Sequence, residues 1–237
     1  MSLLRETWAW WKDGIGRQGF RATWRQFLAI LWEFAQESTP ARRRQRYGDI
    51  EFDWDHRVDT TGATVHWSDR FVGQLHSAYQ PTEPAAFHEM MSALATNFSD
   101  FTFIDIGSGK GRVLLMAADY PFRRVIGAEL LPALHRIAEQ NIRKYGKQSR
   151  RCPKVESICQ NAVDFAFPDE PMVVYLFNPL GEVNLIKVID NLNRSLRQNP
   201  RPAYVLYHNA LLEHVLLNGG WRKLRGEPYF ALFSFAR

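Results

Sequence analysis

Mostly apolar runs alternate with segments of helical periodicity over the second half of the chain. The runs FTFIDI (101–106), MVVYLF (172–177) and AYVLY (203–207) are typical of strands buried on both faces of a sheet. In VNLIKVIDNLNRSLRQ (183–198) the apolar residues recur every three to four positions, which predicts a helix. This alternation predicts an α/β fold, in which a parallel sheet carries helices on both faces.

The same pattern predicts a complete set of elements from residue 84 onwards. Strands are predicted at 101–107, 123–130, 154–160, 172–179 and 203–209, and helices at 84–98, 111–120, 131–146, 183–198 and 210–220. Pro84 suits the first turn of its helix, and Gly146 suits the end of another. The tail WRKLRGEPYFALFSFAR (221–237) predicts a terminal hairpin.

The first part of the chain has a different character, because seven of the eight tryptophans lie before residue 68. In TWRQFLAILWEFA (23–35) the apolar positions share one helical face, with Arg25, Gln26 and Glu33 opposite. Two interpretations stay open: a helix packed on the main domain, or a helix that lies on a membrane surface or binds a partner, since Trp and Arg favour such boundaries. Residues 38–80 are polar, which predicts mainly loops.

Composition limits the classes of protein that the chain can represent. A hydrophobic content of 46% suits a packed core, and no apolar run is long enough to span a membrane. Neither the N-terminus nor the spacing of Cys152 and Cys159 suggests secretion, disulfides or zinc, so we expect a cytoplasmic protein with reduced thiols. The seven scattered histidines predict no metal site. A net charge of +5 is only modestly basic, so we do not expect a nucleic-acid partner.

The segment IDIGSGKGR (104–112) joins a predicted strand to a predicted helix through three glycines at alternate positions. It differs from the dinucleotide fingerprint GxGxxG, which needs glycine where Arg112 stands. It also differs from the phosphate-binding GxxxxGK[ST], which needs Ser or Thr where Gly111 stands. Glycines let the backbone turn sharply and approach a ligand closely, and the amides at the start of the next helix suit a carboxylate.

Two further polar positions follow the next predicted strands. Glu129 ends the strand at 123–130, where an acidic side chain can accept hydrogen bonds from ribose hydroxyls. Asn161 and Asp164 follow the strand at 154–160, where either can meet an adenine amino group. Open α/β sheets bind ligands at the carboxyl ends of their strands. The loop and these positions therefore predict a ligand with a nucleoside and a carboxylate, a description that fits S-adenosylmethionine.

These segments resemble successive motifs of the class I S-adenosylmethionine-dependent methyltransferases. IDIGSGKGRVLLMAA, GAEL, QNAVDF and FNPL carry the resemblance, which spans about residues 79–237. It implies a Rossmann-like methyltransferase fold, a seven-stranded doubly wound sheet with a reversed last hairpin, preceded by a Trp-rich helical and loop extension at 1–78. The implied cofactor contacts are Asp105 and Gly107 at the methionine end, Ser108, Gly109 and Gly111 in the same loop, Glu129 at the ribose, and Asn161 with the Ala162 backbone at the adenine.

The segment YLFNPLG (175–181) bears on the methyl acceptor. The residue before a proline is held extended, which would turn the amide of Asn178 toward the cofactor pocket. An amine needs acceptors for its N–H groups if its lone pair is to aim at a methyl group, and an Asn oxygen with a backbone carbonyl can supply them. FNPL resembles the Asn/Asp-Pro-Pro-aromatic motif of amino-methylating enzymes, from which Leu180 and Gly181 depart. We therefore predict Asn178 and Pro179 as catalytic, with Asn178 also a cofactor contact.

A narrower resemblance concerns AYQPTEPAAFHEMM (78–91) and the glycine loop that follows it. Together they resemble non-SET protein lysine methyltransferases, which implies that Tyr79 and Thr82 fold over the cofactor and that the acceptor is a lysine. Removing a proton from a free lysine at pH 7 costs about 4–5 kcal/mol, a cost that an apolar channel would lower. His208 is the best candidate for a general base. The candidates to line the channel, which can equally pack in the core, are Tyr175, Phe177, Tyr207 and Tyr229.

The sequence thus predicts a methyltransferase that uses S-adenosylmethionine to methylate an amine nitrogen, with a protein lysine as the finer prediction. Two alternatives stay open. One is methyl transfer to a small molecule or a nucleic acid. The other is a non-catalytic binding module on the same fold, with the Trp-rich N-terminus as its interaction surface. The acceptor and the oligomeric state are not determined by these residues.

Overall fold

Strands and helices alternate from residue 102 onwards in the order that the apolar pattern predicts. The structure, a computed structural model, describes residues 3–37, 50–61, 80–146 and 150–235. The strands are β1 (Thr102–Ile106), β2 (Arg124–Glu129), β3 (Val155–Cys159), β4 (Met172–Phe177), β5 (Ala203–His208), β6 (Trp221–Glu227) and β7 (Phe230–Phe235). Every strand predicted between residues 101 and 209 is present, and the terminal hairpin is confirmed.

Helices flank these strands and also form most of the described N-terminal residues. They are α1 (Leu3–Gln18), α2 (Phe20–Glu37), α3 (Ile50–His56), α4 (Pro84–Ser92), α5 (Arg112–Ala118), α6 (Pro132–Lys144), α7 (Glu182–Gln198) and α8 (Glu213–Asn218). Pro84 and Pro132 begin their helices, where a missing N–H costs nothing because the first turn has no partner for it.

The sheet has seven strands in the order β3-β2-β1-β4-β5-β7-β6. Strands β1 to β5 run parallel, and β7 runs antiparallel to both β5 and β6. This arrangement confirms the predicted α/β, Rossmann-like fold with a reversed last hairpin. The strand order reverses between the neighbours β1 and β4, because the chain crosses to the other half of the sheet after β3. A crevice at such a switch point is where open sheets bind ligands.

Two buried layers cover the faces of the sheet. Ile104 and Ile106 of β1 pack in one layer, together with apolar residues of α7. Phe103 packs in the other layer, together with apolar residues of α5. Because side chains alternate along a strand, Asp105 shares the face of Phe103, and it stands in register with Tyr175 of β4.

The chain divides into two compact units. One consists of residues 52–60 and 82–237 and contains the whole sheet, and the other consists of residues 1–51 and 61–81. The extension predicted at 1–78 therefore contributes one segment, residues 52–60, to the unit that holds the sheet.

Helices α1 and α2 form a hairpin through Gly19, whose φ is +81°. The ring of Trp11 packs on the rings of Phe20, Trp24 and Phe27 with centroid distances between 5.3 and 6.1 Å. The helix predicted at 23–35 lies within α2, whereas α1 was not predicted. The short helix α3 was not predicted either, and most of the range 38–80, for which loops were predicted, lies outside the described residues.

Several large apolar side chains of this hairpin remain at the surface. Between 46% and 72% of the surface of each is exposed in Trp8, Phe20, Trp24, Leu28 and Trp32, which we call the Trp face. Part of the apolar stripe predicted on α2 is therefore exposed rather than buried. None of the helices within the described ranges is long and apolar enough to cross a membrane.

Candidate active site

The glycine loop, residues 107–111, leaves the end of β1 and leads into α5. Gly107 and Gly111 have φ values of +79° and +84°, a conformation that residues with a Cβ adopt only at a cost. A Cβ on Gly107 would lie 2.5 Å from Cβ of Pro179, and one on Gly111 would lie 3.2 Å from Cβ of Ala138. Glycine is therefore needed at both positions, and the loop lies directly against the segment that follows β4.

Glu129, at the end of β2, is held against the glycine loop. Its Oε2 accepts a hydrogen bond of 2.8 Å from the amide of Gly109, and its Oε1 accepts one of 2.8 Å from the amide of Leu131. Burial raises the pKa of this carboxyl group, and the backbone hydrogen bonds oppose the rise. The carboxylate keeps further lone pairs, which can accept from the hydroxyls of a ligand.

Asp105 is a buried carboxyl group on β1, two residues before the loop begins at 107. Burial raises its pKa well above the ordinary value, and the negative charge of Glu129 adds to the effect. No Lys, Arg or His side chain of the described residues pairs with it in an ion pair. A buried carboxylate of this kind favours a cationic ligand group, since burying a charge is costly unless it is paired.

Asn161 and Ala162 lie beside the end of β2. The amide of Gln160 donates to the carbonyl of Glu129 at 2.9 Å, which brings the segment after β3 next to that residue. The side-chain oxygen of Asn161 accepts from the amide of Val163 at 3.1 Å and so caps the turn Ala162–Asp164. The side chain thus has a structural role here, and its contact with an adenine stays a prediction.

Asn178, after β4, has a backbone conformation that corrects the sequence expectation. Its φ is +42°, in the left-handed region, whereas an extended conformation was predicted for the residue before Pro179. Asn tolerates this region better than most residues because its short polar side chain can bond locally. The left-handed step brings Pro179 against Gly107, as the close approach of their carbon atoms shows.

Two side-chain oxygens near the loop are buried and have no hydrogen-bond partner within the described residues. They are Oγ of Ser108 and Oδ1 of Asn178. Buried polar groups are usually paired, so an unpaired oxygen indicates a place where a ligand donor would be stabilised. Both oxygens flank the Gly107–Pro179 contact.

A chain of three polar side chains lies beside this region. The hydroxyl of Tyr175 lies 2.9 Å from Oγ1 of Thr82 and 2.9 Å from Nδ1 of His208. Burial lowers the pKa of His208 to about 4, so the ring is neutral near pH 7. Burial raises the pKa of Tyr175 well above its ordinary value, which keeps its phenol protonated. The hydroxyl of Thr82 is thus hydrogen-bonded to Tyr175. Tyr79, the other residue predicted to fold over the cofactor, lies outside the described residues.

The four aromatic residues predicted for an acceptor channel occupy different places. Tyr207 is fully buried on the opposite face of the sheet, within the layer that contains α7, so for it the core-packing interpretation holds. Tyr175 is also fully buried. Phe177 stacks on His208 with ring centroids 4.0 Å apart, and Tyr229 meets the same ring edge-on at 6.4 Å.

Sequence reasoning missed the residues that support the loop from behind. Arg112 was considered only as a departure from the dinucleotide fingerprint and Lys110 was assigned no role, yet each pairs with an acid of residues 52–60. Gly127 was also missed: a Cβ there would lie 2.6 Å from Oγ of Ser108. The buried cations had no detectable sequence signal, because their partners lie more than fifty positions away.

No group of three His, Cys, Asp or Glu side chains in the described parts of the chain could hold a metal ion. The absence of a metal site remains a prediction for the protein as a whole.

Comparison with known proteins supports the class that the fold indicates. Residues 104–200 match a sequence profile of the family described as "Methyltransferase domain". A search of curated protein sequences found no significant match.

Solved structures resemble the fold at low sequence identity. A predicted N6-adenine-specific DNA methylase from Listeria monocytogenes is 16% identical, with a TM-score of 0.50, over 68% of this chain and 52% of that one. A precorrin-6y C5,15-methyltransferase from Geobacter metallireducens is 19% identical, with a TM-score of 0.48, over 66% and 90%. An RNA methyltransferase from Salinibacter ruber, solved with S-adenosyl-L-homocysteine, is 20% identical, with a TM-score of 0.43, over 65% and 92%. This chain thus spans about half the length of the first of these proteins.

The strand order is that of the Rossmann-like methyltransferase fold, and residues 104–200 match the profile of a methyltransferase domain. S-adenosylmethionine is the cofactor of such a domain, and the residues at the loop fit that molecule. The buried Asp105 suits its ammonium group, Glu129 has lone pairs for ribose hydroxyls, and Gly107 leaves room where a Cβ would clash.

Proposed function

We propose that the protein methylates an amine nitrogen, and that this amine belongs to a lysine side chain of a protein. Bound S-adenosylmethionine supplies an electrophilic methyl group. The observation that carries the proposal is Oδ1 of Asn178, a buried oxygen without a partner among the described residues, on a left-handed backbone beside the glycine loop. An acceptor at this point can bind an amine N–H and so orient the nitrogen lone pair.

The surroundings of Asn178 are largely apolar and suit an uncharged acceptor. Phe177 and His208 stack, Tyr229 packs edge-on against His208, and the imidazole is neutral near pH 7. Such a wall disfavours an ammonium ion and favours the neutral amine, which has the free lone pair.

We propose that His208 receives the proton of the acceptor. If its Nδ1 donates to the Tyr175 oxygen, and Tyr175 donates to Thr82, then Nε2 is free to accept. If the hydrogen bonds run the other way, so that Tyr175 donates to Nδ1, the proton lies on Nε2 and His208 cannot accept another there. A pH profile of activity in His208→Asn and in Tyr175→Phe separates the two arrangements.

The acceptor class is tested with methyl-labelled S-adenosylmethionine added to a cell lysate. We expect label in protein and, after hydrolysis, in methyllysine. Label in RNA, or in metabolites alone, would refute the lysine proposal, and RNA binding would weaken steeply with salt. Cofactor binding without any label transfer would instead favour the non-catalytic binding module.

The role of Asn178 is tested by replacing it with alanine and with glycine. Glycine relieves the left-handed backbone, so a loss of activity shared by both variants arises from the missing amide. We expect kcat to fall by about tenfold to a hundredfold, the range for one lost hydrogen bond to a buried group. Asn209→Ala is the matched control, because Asn209 has a similar φ of +50°. Full activity of Asn178→Gly would contradict the proposal.

We also propose that the protein is cytoplasmic and that its Trp face rests on an anionic membrane surface. Aromatic and aliphatic side chains are exposed along α2, and Arg21 and Arg25 are exposed beside them. The basic run ARRRQR (41–46) follows α2 in the sequence. A helix with an apolar face and flanking cations suits the interface of an acidic bilayer.

Vesicle sedimentation of the full chain tests the membrane proposal. We expect binding to vesicles of phosphatidylserine and phosphatidylcholine, little binding to phosphatidylcholine alone, and loss of binding in Trp24→Ser/Trp32→Ser. Trp54→Ser is the control, since Trp54 is 81% exposed and lies outside the hairpin. Unchanged sedimentation of the double variant would refute the proposal. So would a dimer in solution that the double variant abolishes, because the Trp face would then bind a second copy.

A further inference from the structure

Lys110 of the glycine loop and Arg112, the first residue of α5, are both bound by residues 52–60. Nζ of Lys110 donates to Oδ1 of Asp59 at 2.7 Å, and the Lys110 side chain is fully buried. Burial lowers the pKa of Lys110, and the hydrogen bond and charge of Asp59 oppose that change. The ammonium group therefore binds Asp59, whereas the lysine of a phosphate-binding loop binds a phosphate of the ligand.

Arg112 makes a second set of contacts with the same segment. Its Nε donates to Oγ1 of Thr60 at 2.6 Å, and one of its terminal nitrogens lies 3.4 Å from Oδ1 of Asp53. Its guanidinium carbon lies 4.9 Å from the centre of the Phe52 ring. Asp53 also accepts a hydrogen bond of 2.7 Å from the amide of Thr60, so two of the residues that contact the guanidinium group are bonded to each other.

Asn141 of α6 ties the segment to the backbone of the loop. Its Nδ2 donates to the carbonyl of Asp59 at 2.7 Å and to the carbonyl of Lys110 at 2.9 Å. Its Oδ1 accepts from the amide of Asp59 at 2.9 Å. One buried amide thus connects three elements: the segment at 52–60, the glycine loop and α6.

These contacts constrain the position of Gly109. Its amide donates to Glu129, while the next residue is anchored by its side chain to Asp59 and by its carbonyl to Asn141. A loop with three left-handed glycines has much conformational freedom, so its bound geometry needs support from outside. Support of this kind raises affinity by reducing the entropy lost on binding.

We propose that residues 52–60 form a brace in which Asp59 and Asp53, through Lys110 and Arg112, position the glycine loop for the cofactor. The proposal rests on cofactor binding at this loop and makes Lys110 and Arg112 positioning residues. It assigns a role in cofactor affinity to a segment that precedes all of the methyltransferase motifs. It also predicts that inorganic phosphate does not compete with the cofactor, because Lys110 is committed to Asp59.

The brace is tested by calorimetry with S-adenosylhomocysteine on the full chain and its variants Asp59→Asn, Lys110→Met and the double variant. We expect each single variant to raise the Kd by about tenfold or more, as coupled contacting residues do. The double variant should lose no more affinity than the more weakly binding single variant, because all three variants remove the same ion pair. Glu170→Gln is the matched control: it breaks the Arg124–Glu170 pair of 3.0 Å, at the opposite end of β2, and should leave the Kd unchanged.

Hydrogen exchange and unfolding midpoints distinguish positioning from simple stability. In ligand-free Asp59→Asn, the amides of Gly109 and Gly111 should exchange faster than in the wild type, while the β4 amides keep their protection. Variants with lowered midpoints but unchanged Kd would overturn the brace and leave cofactor binding intact. A wild-type protein that does not bind S-adenosylhomocysteine would overturn the proposed function and the brace together.

Discussion

The contact between Gly107 and Pro179 gives a sharp prediction about the candidate site. Gly107 has a φ of +79°, and a Cβ there would lie 2.5 Å from Cβ of Pro179, closer than carbon atoms approach without displacement. In Gly107→Ala, the left-handed backbone costs about 1–2 kcal/mol. Relieving the clash costs about 1–3 kcal/mol, as other overpacked sites do. The free energy of unfolding should therefore fall by about 2–5 kcal/mol.

A second glycine separates the two contributions. Gly220 has a φ of +86°, but nothing lies within 4 Å of a Cβ built on it. Gly220→Ala should therefore lose only the backbone contribution, about 1–2 kcal/mol. The difference between the variants reports the contact with Pro179.

Urea unfolding measures both variants, and calorimetry with S-adenosylhomocysteine measures their affinity. We expect Gly107→Ala to be the less stable of the two and to bind the ligand at least about tenfold more weakly, since the loop must shift to accept the methyl group. Gly220→Ala should keep the wild-type Kd. If Gly107→Ala is no less stable than Gly220→Ala and binds equally well, the contact does not determine the geometry of the loop.

Three further predictions concern ionisable groups. Because burial and Glu129 raise the pKa of Asp105, its ionisation costs stability as pH rises through the folded pKa. In thermal melts without ligand, Asp105→Asn should thus be more stable than wild type at pH 8, with the gain lost in acid, and should bind the cofactor more weakly; a lower midpoint at pH 8 would contradict this. Calorimetry on Glu129→Gln should show a Kd raised about tenfold to a hundredfold for both S-adenosylmethionine and S-adenosylhomocysteine, because a charged acceptor of the ribose is lost; unchanged affinity would refute that role. Since the pKa of His208 is about 4, kcat/KM should show no inflection from this group between about pH 6 and 8; an inflection absent from His208→Asn would overturn the inference.

Local patterns were sufficient to predict the sheet unit. Strands that are buried on both faces need apolar residues at nearly every position, so the runs at 172–177 and 203–207 can be recognised as such strands from the sequence. The glycines at 107 and 111 are likewise explained by their own backbone conformation. The glycine loop and Glu129 follow successive strands, and this order was enough to predict that they lie close together. The hydrogen bond from Gly109 to Glu129 shows that they do.

Helices α1 and α3 were less accessible to this reasoning. Gly14 and Gly16 lower the helical propensity of α1, but Gly14 lies where α1 crosses α2, and a Cβ there would lie 2.8 Å from Thr23. In α3, Asp53 lies among aromatic residues, and its partners Thr60 and Arg112 lie well beyond the helix. Contacts between distant residues, rather than local propensity, stabilise both helices.

By itself, the sequence determined the elements from residue 84 onwards, the fold class and the position of the glycine loop, because each depends on residues that are near neighbours in the chain. The tertiary structure alone decided three other features: the left-handed turn at Asn178, the burial of Tyr207 on the far face of the sheet, and the pairing of Lys110 and Arg112 with residues 52–60. Each of these depends on which atoms meet when distant segments pack. A one-dimensional pattern does not record that information, since the energy of a buried pair or a close contact exists only once both partners are in place.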